Sequence, residues 1–361
     1  MNYRNSVILA HESIATATTK TLDITLKDVI SRIGIQVKAT NNGMVPTAHP
    51  ANILSSIELV DGSDVLFSLS GKEALALNFY DQRKTPFCIN HYIHQVMNIT
   101  FYTIDFGRWL YDPILALDPT KFRNPQLKIT HNLAAGGSVP DAATLEVVAD
   151  VFDDKKAVPK GYLMSKEQVS YSLSGGSNEY IDLPVDYAMR KLLIMSMATS
   201  KAPNEQYNEV KLSQDNDKRI PFNDKTSDLI KYFSALWPEL HEYIFGQALG
   251  TTRDFYCMST YEVAATAIAT HFGTATFKSE DAYGGNIDIR GSATGYFMAL
   301  IRGLCPFGAL CLPFGIQDEP EDWFDLSDVG NLRLTIKAGS SPGASSTCEV
   351  ITQQLRTYPT G

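Results

Sequence analysis

Hydrophobic and polar side chains alternate along much of this chain. Between positions 32 and 39, aliphatic side chains stand at every second position, with charged residues, glutamine or glycine between them. The same period of two recurs at 65–69, 145–151 and 332–336. Because successive side chains of a β-strand point to opposite faces of its sheet, this pattern predicts half-buried strands of an antiparallel, mostly β protein.

Turn-forming residues and two helical stretches complete the pattern. Asparagine, aspartate, glycine, serine and proline cluster between the predicted strands, at 41–43, 61–62, 136–138, 284–286 and 339–343. The composition predicts a helix over 71–80, and apolar spacing predicts another over 226–237, with Thr226 or Ser227 as its N-cap. Positions 262–271 are rich in alanine and threonine and fit either a strand or a helix. Many short strands with few helices indicate a sandwich, a barrel or a jelly roll.

An internal repeat relates the two halves of the chain. Three pairs of segments match in the same order, namely 30–40 with 189–199, 57–80 with 210–233, and 127–130 with 332–335. Within each pair the predicted strands, turns and helices agree in type. The stretch between the second and third segments is much longer in the second half. We therefore expect two copies of one β-domain, the second of which carries an insertion in a loop.

The repeat divides the chain into four predicted parts. Residues 1–22 form an N-terminal arm, and residues 23–156 form the first β-domain. Residues 157–178 are interpreted as a linker, because the stretch 153–178 begins charged and ends rich in serine and glycine, although 168–173 could form a short strand. Residues 179–361 form the second β-domain, with a long loop insertion around 235–295.

Several stretches of this sequence resemble a known family. They are SRIGIQVKAT, ILSSIELVDGSDVLFSLSGKEALALNFYD, YDPILALDPTKFRNPQLKITHNL, LEVVADVF, YIDLPVDYAMRKLLIMSMAT and DVGNLRLTIKAGSSPGASSTCEVITQQLRTYP. The chain resembles the double jelly-roll major capsid proteins of tailless, often membrane-containing icosahedral viruses, including bacteriophages. The insertion around 235–295 lies outside this resemblance.

The resemblance implies a fold and a role. The fold is mainly β, with two tandem eight-stranded jelly rolls and a few short helices. The role is that of a structural subunit, not an enzyme, which trimerises into pseudo-hexagonal capsomers that tile an icosahedral shell. The implied partners are other copies of the chain, minor capsid or vertex proteins, and an internal lipid membrane through residues 1–20. The protein would be made in the host cytoplasm and reside in the virion, where the insertion would form a tower or a trimer clamp.

Composition narrows the function classes. The chain has 31 Lys and Arg against 40 Asp and Glu, a formal net charge of −9, so direct nucleic-acid binding is not expected. Five cysteines are too few and odd in number for a disulfide framework, and they fit a reducing compartment. The apolar stretch 295–316 contains Arg302, Pro306 and Pro313, which predicts buried strands joined by a tight turn and not a membrane span.

A search for catalytic, cofactor and metal motifs yields no site residue. His91 and His94 are three apart, and on a strand such residues point to opposite faces. Cys305 and Cys311 are interpreted as buried free thiols, and the acidic run 318–322 as a solvated loop. Asn98 begins a glycosylation sequon inside a predicted strand.

One nucleotide-binding motif and one hydrolase motif are incomplete in this sequence. Two alternatives to a capsid subunit remain open. Gly71-Lys72 lacks the rest of a phosphate-binding loop, and 291–295 has its serine one place too early for a nucleophile elbow. A tandem jelly-roll carbohydrate-binding protein is the first alternative to a capsid subunit. A β-sandwich glycosidase is the second, since it needs only two carboxylates that the fold brings together.

Overall fold

A computed structural model describes residues 2–15, 17–153, 157–248, 252–269, 276–278, 284–290, 295–344 and 346–359. The first part of the chain forms strands around one helix, α1 (Gly71–Gln82). These strands are β1 (Tyr3–Ile14), β2 (Thr18–Asp23), β3 (Ile30–Asn41), β4 (Leu54–Asp61), β5 (Asp64–Leu69), β6 (Cys88–Tyr92), β7 (Met97–Asp105), β8 (Pro125–His131) and β9 (Pro140–Phe152).

The second part repeats this order and adds an insertion. Its helices are α2 (Pro203–Gln206) and α3 (Thr226–Ser234). Its strands are β10 (Gly161–Ser172), β11 (Asn178–Leu183), β12 (Met189–Ser196), β13 (Tyr207–Gln214), β14 (Arg219–Lys225), β15 (Leu240–Ala248), β16 (Thr252–Tyr256), β17 (Tyr261–Ala269), β18 (Thr276–Lys278), β19 (Asn286–Arg290), β20 (Gly295–Leu304), β21 (Ala309–Pro313), β22 (Leu332–Ala338) and β23 (Thr347–Thr357).

Each half is a jelly roll. In the first roll, one four-strand run has the order β1-β9-β3-β7, and the run that packs on it has the order β2-β8-β4-β5. The second roll repeats both orders, as β10-β23-β12-β21 and β11-β22-β13-β14. In each roll the first strand therefore pairs with the last, which is the connectivity of a jelly roll. The predicted fold class is confirmed.

The matched sequence segments occupy equivalent places in the two rolls. Segment 30–40 forms β3 and segment 189–199 forms β12, the third strand of each roll. Segments 57–80 and 210–233 form the fourth strand, the fifth strand and the helix that follows them. The closing strands β9 and β23 also correspond. The internal repeat thus reflects the strand order of the two rolls.

Two parallel strand pairs join the rolls edge to edge. The edge of β5 pairs with β10, where Phe67 lies opposite Ser165, and β6 pairs with β15, where Asn90 lies opposite Ile244. As a result, each of the two large sheets of the described structure contains strands from both halves of the chain. Main-chain hydrogen bonds therefore cross the boundary between the two halves of the chain at two places.

The structure differs from the predicted arm and linker. Residues 3–14 are not an arm but the edge strand β1, which pairs with β9 from Tyr3 opposite Phe152 to Ile14 opposite Ala143. Most of the predicted linker 157–178 is strand β10, which pairs with β23. Both strands contain many half-exposed polar residues, so neither shows a clean alternation in sequence. The connection between the rolls is the short segment between β9 and β10.

The insertion is built of strands and is not a long loop. Strands β15, β20 and β17 extend the first roll's sheet beyond β6, and β16, β19 and β18 form a small sheet of their own. The small sheet packs on the extended one through a core that contains Tyr92, Phe255 and Phe297. Residues 249–251, 270–275, 279–283 and 291–294 of the insertion lie outside the described residues.

Both predicted helices are present. Ser70 caps α1, since its hydroxyl accepts the Glu73 N–H while the Glu73 carboxylate accepts the Ser70 N–H. The N-cap of α3 is Lys225, one residue before the predicted cap, and its side chain makes no capping bond. The ambiguous stretch 262–271 belongs mainly to β17, with positions 270 and 271 outside the described residues.

The apolar stretch 295–316 forms two strands joined by a tight turn, as predicted. Strand β20 lies in one large sheet and β21 in the other, so the turn at 306–308 carries the chain between them. Gly308 has φ +77°, and a Cβ there would lie 1.8 Å from the Ser196 carbonyl oxygen, which only glycine avoids. Among the described residues, no helix is long and apolar enough to cross a membrane.

Candidate functional site

The residues examined in sequence do not come together into a catalytic or metal site. His91 lies on β6 and stacks on Phe245 at 4.7 Å, whereas His94 lies in the following turn. Burial lowers the pKa of His91. Cys305 and Cys311 are buried free thiols, as predicted, and burial raises the pKa of both. Among the described residues, no group of three or more His, Cys, Asp and Glu is placed to hold a metal ion.

The structural surroundings of the other sequence motifs indicate no chemical role for them. Asn98 is buried and donates a hydrogen bond to Asn41, so the sequon does not present its amide to solvent. In the acidic run, Asp322 accepts the Ile316 N–H at 2.6 Å and thereby closes a solvent-exposed turn. Gly71 begins α1, and most of the 291–295 motif lies outside the described residues.

A buried polar cluster lies between the two rolls. Asp81, at the end of α1 in the first roll, accepts hydrogen bonds from Arg190, Lys191 and Gln353 of the second roll. The Arg190 Nη1 to Asp81 Oδ1 distance is 2.7 Å, and the side chains of Asp81, Arg190 and Lys191 are at most 5% exposed. Burial acts to raise the pKa of Asp81, but the two adjacent cations outweigh it and hold that pKa below its usual value.

A second buried cluster ties the insertion to the first roll. Glu242 on β15 lies 2.9 Å from His49 Nε2, and both side chains are 1% exposed. The His49 Nδ1 atom accepts the Ala51 N–H, so in a neutral ring Nε2 carries the hydrogen and donates it to Glu242. Glu242 also accepts from Asn90 of β6 and from the Met258 main chain. The Glu242 carboxylate therefore accepts hydrogen bonds from the first roll, at His49 and at Asn90 of β6, and from Met258 of the insertion.

Three carboxyl groups influence one another across the boundary between the rolls, namely Glu73 on α1, Glu167 on β10 and Glu349 on β23. Burial, together with the nearby Glu349 and Glu167, raises the pKa of Glu73 to about 8. The pKa values of Glu167 and Glu349 are raised as well, chiefly by burial, and Lys72 opposes this shift. The second oxygen of Glu73, Oε1, is buried with no hydrogen-bond partner among the described residues, so a proton on this carboxyl avoids a buried, unsolvated charge.

We expect this carboxyl group to make stability depend on pH. The pKa of Glu73 is higher in the folded chain than in the unfolded one, so its contribution to stability is full below about pH 4.5 and is lost as pH rises through about 8. Glu73→Gln keeps the capping oxygen and removes the titration. Urea unfolding from pH 5 to pH 9 should show the wild type losing on the order of 3–5 kcal/mol more than the variant.

The matched control for this experiment is Glu179→Gln. Glu179 is exposed on β11, in a sheet that contains none of the three carboxyls. It should follow the wild-type pH profile. A Glu73→Gln profile as steep as that of the wild type would contradict the assignment of the slope to Glu73.

A groove with exposed aromatic side chains lies on the first roll, where its sheet meets the insertion. It has a volume of about 710 Å³ and crosses β7, β6 and β15. Phe87 and Tyr243 on its wall are 57% and 50% exposed, and Arg32 and Phe101 also line it. Exposed aromatic side chains beside a charged residue are typical of surfaces that bind another protein.

Sequence reasoning missed the clusters around Asp81 and Glu242. One signal was available for the first, since Arg190 and Lys191 stand next to each other in an otherwise apolar strand, and buried cations require a partner. Their partner is 109 residues away, and Glu242 lies 193 residues from His49. Only the topology of the two rolls brings these residues together.

Comparison with known proteins adds evidence on the fold. No protein-family model and no curated protein sequence matches the chain. The major capsid protein of Sulfolobus turreted icosahedral virus has a similar structure, with a TM-score of 0.59 and 11% sequence identity, over 98% of this chain and 96% of that chain. The major capsid protein P2 of bacteriophage PM2 has a TM-score of 0.55 and 11% identity, over 98% of each chain.

A third similar structure is the capsid of the virus PBCV-1. It has a TM-score of 0.56 and 12% identity, over 98% of this chain and 94% of that chain. These structural neighbours are viral capsid proteins, and the likeness extends over both rolls and the insertion. The resemblance noted in the sequence is thus confirmed at the level of the fold, which is that of double jelly-roll major capsid proteins.

Proposed function

We propose that this chain is the structural subunit of an icosahedral viral shell and has no enzymatic role. The observation that carries the proposal is that the two rolls, the seams between them and the insertion form one continuous unit. That unit corresponds in extent to whole major capsid proteins, at 96% and 98% of two of their chains. A unit with two rolls of the same topology supports trimerisation into a pseudo-hexagonal tile with six rolls.

The proposal includes the location and partners of the subunit. The protein is made in the host cytoplasm and resides in the virion, where other copies of the chain and minor capsid or vertex proteins contact the sides of the tile. An internal membrane would lie beneath the end of the rolls that carries both ends of the described chain, near Tyr3 and Tyr358. Because β1 is paired with β9 along its length, the membrane contact proposed for residues 1–20 is made by the part near Tyr3 and not by a free arm.

The first test is the solution mass of the purified chain by light scattering, with negative-stain imaging of the same peak. We expect a mass of three times 39.8 kDa and particles with a hexagonal outline. A monomer that persists at high concentration would contradict the proposal. It would favour the carbohydrate-binding alternative, for which a glycan screen is then the direct test.

A further inference from the structure

The groove near Phe87 and Tyr243 is formed by strands that lie side by side in one sheet. The strand order is β3-β7-β6-β15, and each strand contributes to the lining, with Arg32 on β3, Phe101 on β7, His91 on β6 and Tyr243 on β15. The rings of Phe87 and Tyr243 are at least half exposed, so they face solvent and not the core. The groove is therefore an open surface of the sheet with an aromatic wall.

A glycine in β3 shapes the floor of the groove. Gly34 lies on the outer face of its sheet, because its neighbours Ile33 and Ile35 are buried on the inner face. A Cβ at this position would lie 2.6 Å from Cζ of Phe101 and 3.2 Å from Cγ2 of Val148. Glycine weakens the interior of a strand, but here it lets the Phe101 ring pack directly on the β3 main chain. The floor of the groove is thus an aromatic ring seated on glycine.

The groove carries positive charge on a chain that is acidic overall. Its described lining includes Arg32 and Lys84 but no Asp or Glu, although the chain has a formal net charge of −9. Asp150 pairs with Arg32 at 2.7 Å, whereas no carboxylate of the described residues pairs with the exposed Lys84. Burial lowers the pKa of His91, so that ring adds no charge at neutral pH. A ligand that complements this groove is therefore negatively charged.

The size of the groove favours a small ligand over a protein partner. Its volume of about 710 Å³ lies within the usual range of ligand pockets, about 300–1,000 Å³. Three strand spacings separate β3 from β15, about 14 Å, and the stretch of β15 from His241 to Phe245 is about 13 Å long. The resulting area, roughly 200 Å², is far below the ~800 Å² that each partner buries in a stable protein complex.

Three kinds of anionic ligand fit the groove less well than a sugar acid does. An extended peptide cannot join the sheet as a strand, because β7, β6 and β15 are each paired on both sides. A nucleic acid is held through many phosphates, which require more than the two cations present here. A fatty acid requires an enclosed apolar pocket for its chain, whereas Phe87 and Tyr243 are open to solvent. A sugar acid needs only an open aromatic surface and a cation, since one face of its ring is apolar and its edge is polar.

We propose that this groove binds an acidic carbohydrate made of uronic acid units. The apolar faces of the sugar rings pack on Phe87 and Tyr243, and a carboxylate of the sugar accepts a charge-assisted hydrogen bond from Lys84. Arg32 adds positive charge at the same end of the groove. The inference goes beyond the role in a shell and does not rest on it, because a single chain supplies every lining residue.

Calorimetric titration of the full-length chain tests the class of ligand. The two probes are a mannuronic acid hexasaccharide and the same hexasaccharide with its carboxyl groups reduced to alcohols. We expect one acidic hexasaccharide to bind per chain, and the reduced one to bind about tenfold more weakly because it loses a charge-assisted hydrogen bond. Equal affinity for the two probes, or no binding of either, would overturn the inference.

Two variants separate the aromatic wall from the charge. Tyr243→Ala removes an exposed ring and should weaken the binding of both probes about tenfold, because less apolar surface is buried. Lys84→Gln removes the cation and should weaken only the acidic probe, whose affinity should approach that of the reduced one. Both side chains are exposed, so the fold should be retained. Affinities unchanged in both variants would show that the sugar binds at another place and would overturn the assignment.

The matched controls lie on elements of the second roll that do not line the groove. They are Tyr180→Ala on β11, where the side chain is 62% exposed, and Lys231→Gln on α3, where it is also exposed. Both controls should bind the acidic hexasaccharide as the wild type does. A loss of affinity in the controls as large as that in Tyr243→Ala or Lys84→Gln would contradict a site in the groove.

Competition with a hexapeptide of glutamate distinguishes a carbohydrate from another acidic ligand. Sugar binding that persists at an equal concentration of peptide supports the inference, and displacement of the sugar would overturn the choice of a carbohydrate. Light scattering of the same samples keeps this result separate from the proposed function. A trimer that binds neither probe contradicts this inference alone, whereas a monomer that binds the acidic hexasaccharide contradicts the role in a shell alone.

Discussion

Replacing Asp81 with asparagine should lower the free energy of unfolding by about 3–5 kcal/mol, because it leaves Arg190 and Lys191 buried without a counter-charge. The three side chains are at most 5% exposed, so water cannot replace the lost carboxylate. The same cluster joins α1 of the first roll to β12 and β23 of the second, so the substitution should weaken the contact between the two rolls. Urea unfolding of the purified variant measures it.

Two further variants separate the cause of that loss. Asp182→Asn removes an exposed partner of Arg333, which lies 2.9 Å away, and should leave the unfolding midpoint unchanged. The triple variant Asp81→Leu, Arg190→Met and Lys191→Met removes every charge of the cluster and should recover much of the stability of the wild type. A triple variant as unstable as Asp81→Asn would show that packing, and not an unpaired charge, explains the effect.

The stability of the Asp81 cluster should also depend on pH. The pKa of Asp81 is lower in the folded chain than in the unfolded one, so its contribution is present above the usual pKa of aspartate and is lost as pH falls through the folded value. This direction is opposite to that of Glu73. Acid should therefore weaken the Asp81 cluster while alkali weakens the region around Glu73.

Replacing Glu242 with alanine should cost about 3–5 kcal/mol and loosen the insertion from the first roll. The change leaves the His49 Nε2–H, the Asn90 amide and the Met258 N–H buried without an acceptor. Hydrogen exchange followed by mass spectrometry should show faster exchange in β6 and β15 than in β12 or β23. Such a local pattern is expected because Glu242 is the carboxylate that links β15 to the first roll.

The control for Glu242 is its neighbour Glu239. Glu239 is 54% exposed and lies 3.6 Å from His241 and 3.8 Å from Arg302, so Glu239→Gln should leave both stability and exchange unchanged. Faster exchange throughout the chain in Glu242→Ala, with no preference for β6 and β15, would contradict a local role for this carboxylate.

Much of the fold could be predicted because local signals and tertiary structure agree. The alternation in β3 is visible because one face of that strand packs in the core while the other is half-exposed. Helix α1 has a serine and a glutamate at capping positions, and the structure uses both. The repeat between the halves was visible because matched strands keep apolar residues at equivalent core positions, such as Ile33 with Leu192 and Ile35 with Ile194.

Other elements could not be predicted because their pattern depends on neighbours far along the chain. Strand β1 lies at a sheet edge and keeps many polar residues, so its sequence resembles a flexible arm. Strand β10 is buried at its start and exposed toward its end, so it shows no single period. The insertion was expected to be a loop, since nothing local shows that β15 pairs with β6.

The sequence by itself determined the fold class, the matched order of the repeated segments in the two halves, the two helices that follow the fifth strands, and the likeness to capsid proteins. These depend on alternation, capping and repetition, which are local or compare one segment with another. The tertiary structure alone decided how the rolls join, where the charges of Asp81 and Glu242 are neutralised, and which faces remain open. Those features depend on contacts between residues more than a hundred positions apart, and the local sequence around each residue does not identify its partner.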